Sequence, residues 1–164
     1  MPKPAKSTKK GVAPSSTESP LTKYKIQLCN VSLICCHYTA DVKGLARTPP
    51  RQYGLQASCK RIADDPTTLT VYSEITLRVP ADTGKLVDVR LGYDVDFTHT
   101  KDMPEELKDY FTHVNAPFLI WAYFREAVVS LTTRSALPPL YLPTLDARQI
   151  RELFGSAPKG GKGQ

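Results

Sequence analysis

The chain has 164 residues, of which 41% are hydrophobic and 23% are charged, as in soluble globular proteins with one domain. Its net charge is +6, but residues 1–20 hold four lysines and one glutamate, and residues 155–164 hold two lysines and no acid. The tails therefore carry five of the six net charges. A body this close to neutral is unlike a dedicated nucleic-acid-binding domain, which presents a basic patch.

The sequence contains no apolar run of the length that spans a membrane, about 18 residues. Residues 1–20 are rich in Pro, Ser, Thr and Lys and lack the apolar core of a secretory signal, so we expect a cytoplasmic protein. The same composition predicts a disordered basic tail over 1–20. A single domain is expected at 21–154, followed by a disordered Gly/Lys tail at 155–164.

Four segments show the alternation of apolar and polar residues that is typical of β-strands. The first, Thr22–Tyr38, changes parity near Cys29 and Asn30, which predicts a bulge. A crossover loop at Asp41–Arg51 separates it from a second strand that begins near Tyr53. The last two strands alternate most regularly, with apolar residues at Leu69, Val71, Ile75, Leu77 and Val79 and then at Val87, Val89, Leu91, Tyr93, Val95 and Phe97. These patterns predict an antiparallel sheet with one buried face.

Helical patterns occupy the rest of the chain. Asp102 and Glu105 have the spacing of a capping box, which predicts the start of a short helix. Asn115 as a cap and Pro117 in the first turn predict the start of a long helix. A brief final helix is expected at Asp146–Phe154. Strands followed by helices indicate an α+β fold.

The long helix, Ala116–Arg134, has apolar residues on two sides. One stripe at helical spacing consists of Ile120, Trp121, Phe124, Ala127, Val128 and Leu131. A second group, roughly opposite, consists of Phe118, Leu119, Ala122 and Val129. Because one sheet covers only one side of a helix, we expect the second group to lie at a subunit interface. Burial of both sides within a monomer is the alternative.

A proline-rich segment follows the long helix. Pro138, Pro139 and Pro143 prevent the helix from continuing. The other residues of the segment are too apolar for an ordinary solvated loop, and they are Leu137, Leu140, Tyr141 and Leu142. Such an extended, proline-fixed segment either packs on the core or offers an apolar surface to another molecule.

The sequence shows no pattern of catalytic residues. The three histidines, His37, His99 and His113, belong to no recognisable nucleophile motif. Arg125 and Glu126 in the middle of the long helix are interpreted as a local or intersubunit ion pair. We therefore expect no enzymatic activity and no cofactor.

The cysteines also argue against a metal site. Cys29, Cys35, Cys36 and Cys59 lack C-x-x-C spacing and have no nearby pair of histidines. In a cytoplasmic protein we expect them to be reduced thiols that are mostly packed.

The long helix and the proline-rich segment resemble the SecB family of protein-export chaperones. That family has an aromatic-x-R-E helix, an R-G step and an F-P-x-L-x-L segment. The corresponding residues here are Tyr123, Arg125, Glu126, Ser130, Arg134 and the run Leu137-Pro138-Pro139-Leu140-Tyr141-Leu142-Pro143. The similarity is strongest over Asn115–Asp146, and the order of elements agrees from about Tyr24 onward.

The resemblance implies a four-stranded antiparallel sheet followed by a short helix, a long helix and a short C-terminal helix, assembled as a dimer of dimers. Strands of two subunits would join into a larger sheet, and the long helices would lie between two such sheets. Two residues depart from the family pattern, since Ser135 replaces the usual Gly and Ala122 the usual Pro. The acidic body that helps the family to dock the export ATPase SecA is also absent.

The apolar segment and the resemblance together predict an ATP-independent holdase that binds unfolded or partly folded polypeptides. Each apolar client side chain that the protein buries would contribute roughly 1.5–3 kcal/mol. We expect the client groove to be lined by Leu45, Leu137, Leu140, Tyr141, Leu142, Ile150 and Phe154. The expected partners are preproteins together with SecA, in protein export and transport, or an antitoxin of a toxin–antitoxin system.

We expect a homotetramer whose interface contains Phe118, Leu119, Ala122 and Val129. Two other functions remain open at this stage. The basic tails could attract nucleic acid, although they lack the interleaved aromatic residues that stack on bases. The protein could also be a non-catalytic oligomeric scaffold that binds no client.

Overall fold

The computed structural model describes residues 23–41, 52–81, 84–100, 102–135 and 137–155. Both predicted tails lie outside these residues apart from Gly155, and so does the crossover loop apart from Asp41. Leu45, which we expected in the client groove, is therefore not described. Within the described ranges, no helix is both long enough and apolar enough to cross a membrane.

The described residues contain a four-stranded antiparallel sheet with the strand order β1-β4-β3-β2. The strands are Gln27–Ala40 for β1, Gly54–Asp65 for β2, Thr68–Ala81 for β3 and Gly84–Thr98 for β4. The predicted four-stranded antiparallel sheet is thus confirmed. β1 and β2 are its two edge strands, and β3 and β4 form its centre.

Strand β1 is irregular in two places. Its pairing with β4 shifts between Leu28 and Asn30, as predicted, and again between Leu33 and Cys35, which the sequence did not reveal. Each extra residue resets the alternation of the side chains. As a result, Leu28 and Leu33 both pair with β4 residues whose side chains are buried on the helix-covered face of the sheet.

Three α-helices follow the sheet: α1 (Glu105–Tyr110), α2 (Ala116–Arg134) and α3 (Ala147–Gly155). A π-helical turn at Phe111–Asn115 joins α1 directly to α2, so the chain is helical without interruption from the start of α1 to the end of α2. The predicted α+β class, with short, long and short helices in that order, is confirmed.

Two of the predicted helix caps are wrong. Pro104 occupies the N-cap position of α1, and no side chain, including that of Asp102, caps this helix. Asn115 has helical backbone angles and no side-chain cap, since the π-helical turn already supplies acceptors to the first amides of α2. A capping box opens α3 instead. The amide of Gln149 donates to Asp146 Oδ1 at 2.8 Å, and the amide of Asp146 donates to Gln149 Oε1 at 3.0 Å.

The hydrophobic core lies between α2 and the central strands. Ile120, Phe124 and Val128 of α2 are completely buried. So are the alternate β3 residues Leu69, Val71, Ser73, Ile75, Leu77 and Val79. Trp121 is buried beside them, and Ala127 and Leu131 pack against the core while partly exposed. The predicted apolar stripe is therefore the face that holds α2 on the sheet, and the opposite face of the helix points outward.

The face of the sheet without helices is polar. Glu74 Oε2 accepts hydrogen bonds from Arg90 Nη2 at 2.9 Å and from the Tyr72 hydroxyl at 2.8 Å. Partial burial alone would raise the pKa of Glu74, but these two hydrogen bonds bring it below its usual value. Charges of both signs thus lie paired across this face.

A charged network joins α1 to the edge strand β2. Arg61 contacts Asp64 at 3.0 Å, Asp109 at 2.8 Å and Glu105 at 2.6 Å, and Lys108 contacts Asp64 at 2.8 Å. These pairs are partly exposed, so each adds little to stability. Together they place charged side chains beside the β2 edge.

Candidate binding groove between helix α2 and the proline segment

The proline segment, Leu137–Pro143, lies along α2 and is held there by side chains of the helix. Arg125 Nε donates to the carbonyl oxygen of Leu142 at 2.9 Å, and Trp121 Nε1 donates to the carbonyl oxygen of Pro143 at 3.2 Å. The segment belongs to no strand or helix. The two side chains of α2 therefore satisfy backbone groups that a neighbouring strand would satisfy in a sheet.

Thr132 supplies the third attachment. Its hydroxyl, which is buried, donates to the carbonyl oxygen of Val128 at 2.8 Å and accepts the backbone N–H of Leu140 at 3.2 Å. A buried N–H without an acceptor costs about 1–3 kcal/mol, so this hydroxyl sets the depth at which the segment lies.

The extended backbone turns successive side chains of the segment in opposite directions. Leu140 and Leu142 are buried in the core, whereas Tyr141 between them is 74% exposed. Tyr141 has the largest exposed fraction of the large hydrophobic residues that the structure describes. The segment thus presents one aromatic ring to the outside on a backbone fixed from below.

A groove of about 410 Å³ runs between the outward face of α2 and the proline segment. Its lining comes from two helix turns and from the segment, and consists of Ala122, Arg125, Glu126, Val129, Ser130, Tyr141 and Leu142. The groove brings together residues that the sequence assigned to two separate sites, since Ala122 and Val129 were expected at a subunit interface and Tyr141 and Leu142 at a client.

Most of the residues predicted to line the client groove lie in the core of the single chain. Five of them are buried, namely Leu137, Leu140, Leu142, Ile150 and Phe154. Leu142 nevertheless borders the groove, and Tyr141 is the one described residue of the set that is exposed. The sequence correctly predicted that the segment is apolar. The spacing and composition of its residues do not distinguish a leucine that packs inward from one that binds a client.

The residues predicted at the oligomer interface all reach the outward side of α2. Phe118 is 51% exposed and Ala122 is exposed, whereas Leu119 and Val129 are partly exposed. Leu119 also packs against the edge of the core. The helix therefore offers an apolar outward face, while its role as an interface stays a prediction.

Arg125 and Glu126 bring opposite charges to the groove. Neither forms an ion pair within the described part of the chain, so the local alternative in the earlier interpretation is wrong. Adjacent helix residues point about 100° apart, which prevents the two side chains from facing each other. Burial, with smaller contributions from Cys36 and Glu126, raises the pKa of the neighbouring Tyr93 to about 12, so its phenol stays neutral.

Sequence reasoning missed a contact between Cys59 and His113, which lie 3.2 Å apart from Sγ to Nδ1. Burial raises the pKa of the Cys59 thiol to about 11, so the thiol stays neutral. A nucleophilic cysteine needs the opposite shift. The two residues are 54 positions apart in the chain, and only the π-helical turn places His113 beside β2.

The four cysteines are free thiols, but the expected packing is wrong for two of them, because Cys29 and Cys36 are exposed on the edge strand β1. Among the residues that the structure describes, no group of three or more His, Cys, Asp and Glu side chains could hold a metal ion.

Comparison with known proteins identifies the fold. No family model and no curated protein matches the chain in sequence. The structure is similar to the Mycobacterium tuberculosis Rv1957 SecB-like chaperone, which was solved in complex with a ChAD peptide from the Rv1956 HigA1 antitoxin. The TM-score is 0.61 and the identity 23%, and the match covers 77% of this chain and 91% of that one. The chain thus has the SecB-like fold.

A second structure, of a Streptococcus agalactiae protein of unknown function, matches with a TM-score of 0.42 and 11% identity over 73% of this chain and 98% of that one.

The attachment of the proline segment can be tested with the substitution Thr132→Val, which keeps the shape of the side chain and removes the acceptor for Leu140. We expect the free energy of unfolding, measured in urea, to fall by about 1–3 kcal/mol, because the amide of Leu140 stays buried without a partner. Protease cleavage within the segment should also become faster.

Thr133→Val is the matched control, because the Thr133 hydroxyl is exposed and bonds only back to the carbonyl oxygen of Val129 within the helix. Equal loss of stability in the two variants would show that the Thr132 hydroxyl does not hold the segment.

Proposed function

We propose that this chain, which has the SecB-like fold, is an ATP-independent holdase that binds unfolded or partly folded polypeptides. The observation that carries this proposal is Tyr141, whose ring projects from a rigidly attached segment at the rim of an apolar groove. A soluble protein that keeps a large aromatic side chain 74% exposed on a fixed backbone is suited to binding through that side chain.

Binding would follow from burial alone. Tyr141 and Leu142 at the rim of the groove offer anchors for the side chains of a client, and each buried client side chain contributes roughly 1.5–3 kcal/mol. Folded proteins hide such side chains, so the surface selects unfolded chains without reading their sequence closely. Holding a client by mass action needs no nucleotide and no catalytic residue.

The buried residues of the predicted client groove also have a role in this proposal. Leu140 and Leu142 are the buried residues on either side of Tyr141, and Ile150 and Phe154 are the buried residues of α3. We propose that they join the client surface where α3 moves away from the core. This helix has only nine residues and two buried side chains, so displacing it exposes little else.

For the client itself we favour an antitoxin over an exported preprotein. The similar M. tuberculosis chaperone was solved with an antitoxin peptide. The polar face of the sheet here mixes Lys60, Arg78 and Arg90 with acidic residues, rather than presenting the acidic surface expected for docking SecA. The export role is the alternative.

The assembly that we propose begins at the β1 edge. Between Gln27 and Ala40 this strand has no Lys, Arg, Asp, Glu or Pro, the residues that usually protect an edge from pairing with another chain. Its inward-facing Leu28 and Leu33 are 45% and 53% exposed. The β2 edge differs, because it contains charged residues and contacts α3. We therefore propose that β1 pairs with β1 of a second copy.

The outward face of α2 supplies the second proposed interface. Pairing through β1 leaves this face uncovered, so two such dimers can join through their α2 helices into a homotetramer. Several client surfaces then lie in one particle, and a long client that occupies two of them gains from effective concentration. We propose that the protein works in the cytoplasm in this form.

The holdase function can be tested by diluting a chemically unfolded protein into buffer and following light scattering. We expect the wild-type protein to suppress aggregation at a few-fold molar excess. Tyr141→Ala should weaken client binding by roughly 1–3 kcal/mol, which is about 5- to 150-fold, because it removes the most exposed anchor.

Tyr110→Ala is the matched control, because Tyr110 is also a surface tyrosine, 46% exposed, but lies on α1 outside the groove. Aggregation that proceeds unchanged in the presence of wild-type protein would contradict the holdase function. Equal effects of the two tyrosine substitutions would contradict the placement of the client surface.

The client class can be tested by adding a competitor to the labelled unfolded client. We expect the ChAD peptide of the M. tuberculosis HigA1 antitoxin to displace the client from the wild-type protein, and immobilised SecA to retain no protein at physiological salt. Retention by SecA that weakens as salt rises, with no displacement by the peptide, would instead support the export role.

A further inference from the structure

We propose that the lysine-rich N-terminal segment, residues 1–22, binds across the polar face of the sheet in its own chain, with its lysines beside Asp94 and Asp96 of β4. This inference goes beyond the holdase function and does not depend on it. It gives a partner to the face of the sheet that no described helix covers. It also gives a role to the basic residues of the segment, which are Lys3, Lys6, Lys9 and Lys10.

The first argument is the distribution of charge on the polar face. Glu74 pairs with Arg90 at 2.9 Å, and Asp88 lies 3.8 Å from Arg78, so the acids of this part of the face have cations beside them. At the other end of β4, two carboxylates of the same face form no ion pair within the described ranges, and they are Asp94 and Asp96. Uncompensated negative charge therefore lies at one end of the face.

The surroundings of Asp94 favour the arrival of a cation. Its Oδ1 atom is buried and has no hydrogen-bond donor among the described residues, whereas Asp96 accepts a bond from the Thr70 hydroxyl at 2.8 Å. Burial and the neighbouring charge of Asp96 raise the pKa of Asp94. Lys60 lies on the same face beside the Tyr72 ring, but it is two strands away, so its backbone is roughly 10 Å from that of Asp94.

The second argument is the place where the N-terminal segment meets the sheet. Gln27 pairs with Thr98 at the start of β1, and the carbonyl oxygen of Tyr24 accepts the N–H of Thr100 at 3.1 Å. The segment therefore joins the sheet at the end of β4 that carries the two carboxylates. Asp94 is four residues from Thr98, which is roughly 13 Å along the strand. A chain of 22 residues has a root-mean-square length of about 26 Å, so its lysines can reach both carboxylates.

The third argument is charge complementarity. Residues 1–22 hold four lysines and one glutamate, and few of their other residues are apolar. Such a segment suits the polar face of the sheet better than the groove beside α2. The C-terminal tail is also basic, but it follows α3, whose buried residues Ile150 and Phe154 belong to the core on the helix-covered side of the sheet. The N-terminal segment is therefore the occupant that fits this face.

Binding of this kind withholds the lysines of the segment from other anions. Each contact between an exposed lysine and a carboxylate is weak, so the segment exchanges between bound and free states, and salt favours the free state. A polyanion has to compete with Asp94 and Asp96 for the same lysines. The polar face thus suppresses the attraction of nucleic acid to the N-terminal tail.

The test measures how tightly the full-length protein binds fluorescently labelled heparin, a polyanion, by fluorescence anisotropy at physiological ionic strength. The variant Asp94→Asn combined with Asp96→Asn keeps the shape of both side chains and removes their charges. We expect its dissociation constant for heparin to fall by about fivefold or more, because the released segment binds the polyanion without competition.

Asp102→Asn combined with Glu106→Gln is the matched control, because it makes the same change in charge at two exposed acids outside the polar face. We expect this control to lower the dissociation constant by less than about twofold. Replacement of Lys6, Lys9 and Lys10 by glutamine in the first variant should abolish its gain in affinity, because the lysines that bind heparin are then absent.

Carbodiimide cross-linking of the wild-type protein, followed by mass spectrometry, tests the contact itself. We expect amide bonds between lysines of the segment and Asp94 or Asp96. Equal gains in the two acid variants, or cross-links to Asp102 and Glu106 alone, would overturn the proposed position on the polar face. The absence of any cross-link between the segment and the body, or a gain that survives replacement of the lysines, would overturn the binding of the segment altogether.

Discussion

The structure depends on α2, which has one apolar side buried against the sheet and a second apolar side at the surface. One side of this helix buries Ile120, Phe124 and Val128 completely against β3 and β4 and thereby closes the core. The other side carries Phe118 and Ala122 to the surface. A helix that is apolar on two sides is stable only if something covers both, and the described part of the chain covers one. The groove and the proposed assembly both follow from this imbalance.

The proline segment depends on α2 in turn. Its backbone lacks the regular pairing of a strand, and side chains of the helix supply that pairing instead, through Arg125, Trp121 and Thr132. Because the attachment fixes the backbone, the alternation of an extended chain decides the rest: Leu140 and Leu142 enter the core and Tyr141 leaves it. A flexible loop with the same composition would bury all three side chains or hold none in place. The segment can therefore keep the Tyr141 ring exposed, because its fixed backbone prevents the ring from packing onto the core.

Patterns that repeat over many residues predicted much of this fold. The alternation in β3 and β4 and the helical spacing in α2 identify buried faces, because a single periodicity extends over ten or more positions. The same spacing identified the outward residues of α2. Features that depend on one or two residues were harder to predict. The cap expected at Asn115 fails because a π-helical turn continues the helix through it, while the capping box at Asp146 and Gln149 has the proper spacing and was overlooked.

The candidate site was only partly predictable for a related reason. The sequence marks the proline segment as apolar, but whether a leucine there faces the core or a client depends on hydrogen bonds from residues 8 or more positions away. The groove exists only because α2 and the segment lie side by side, and no local pattern encodes that contact. The contact between Cys59 and His113 is equally invisible in the sequence. Local periodicity thus indicates which faces of a strand or helix are apolar. Long-range contacts determine how those faces pack together.

The most direct test of the account is the molar mass of the wild-type protein at micromolar concentration, measured by light scattering during size-exclusion chromatography. The account predicts four chains of 18.2 kDa, a particle of about 73 kDa, because both the β1 edge and the outward face of α2 require a partner. A folded protein that elutes as a single chain of 18.2 kDa would contradict it, since the apolar side of α2 would then be stable in water without a partner.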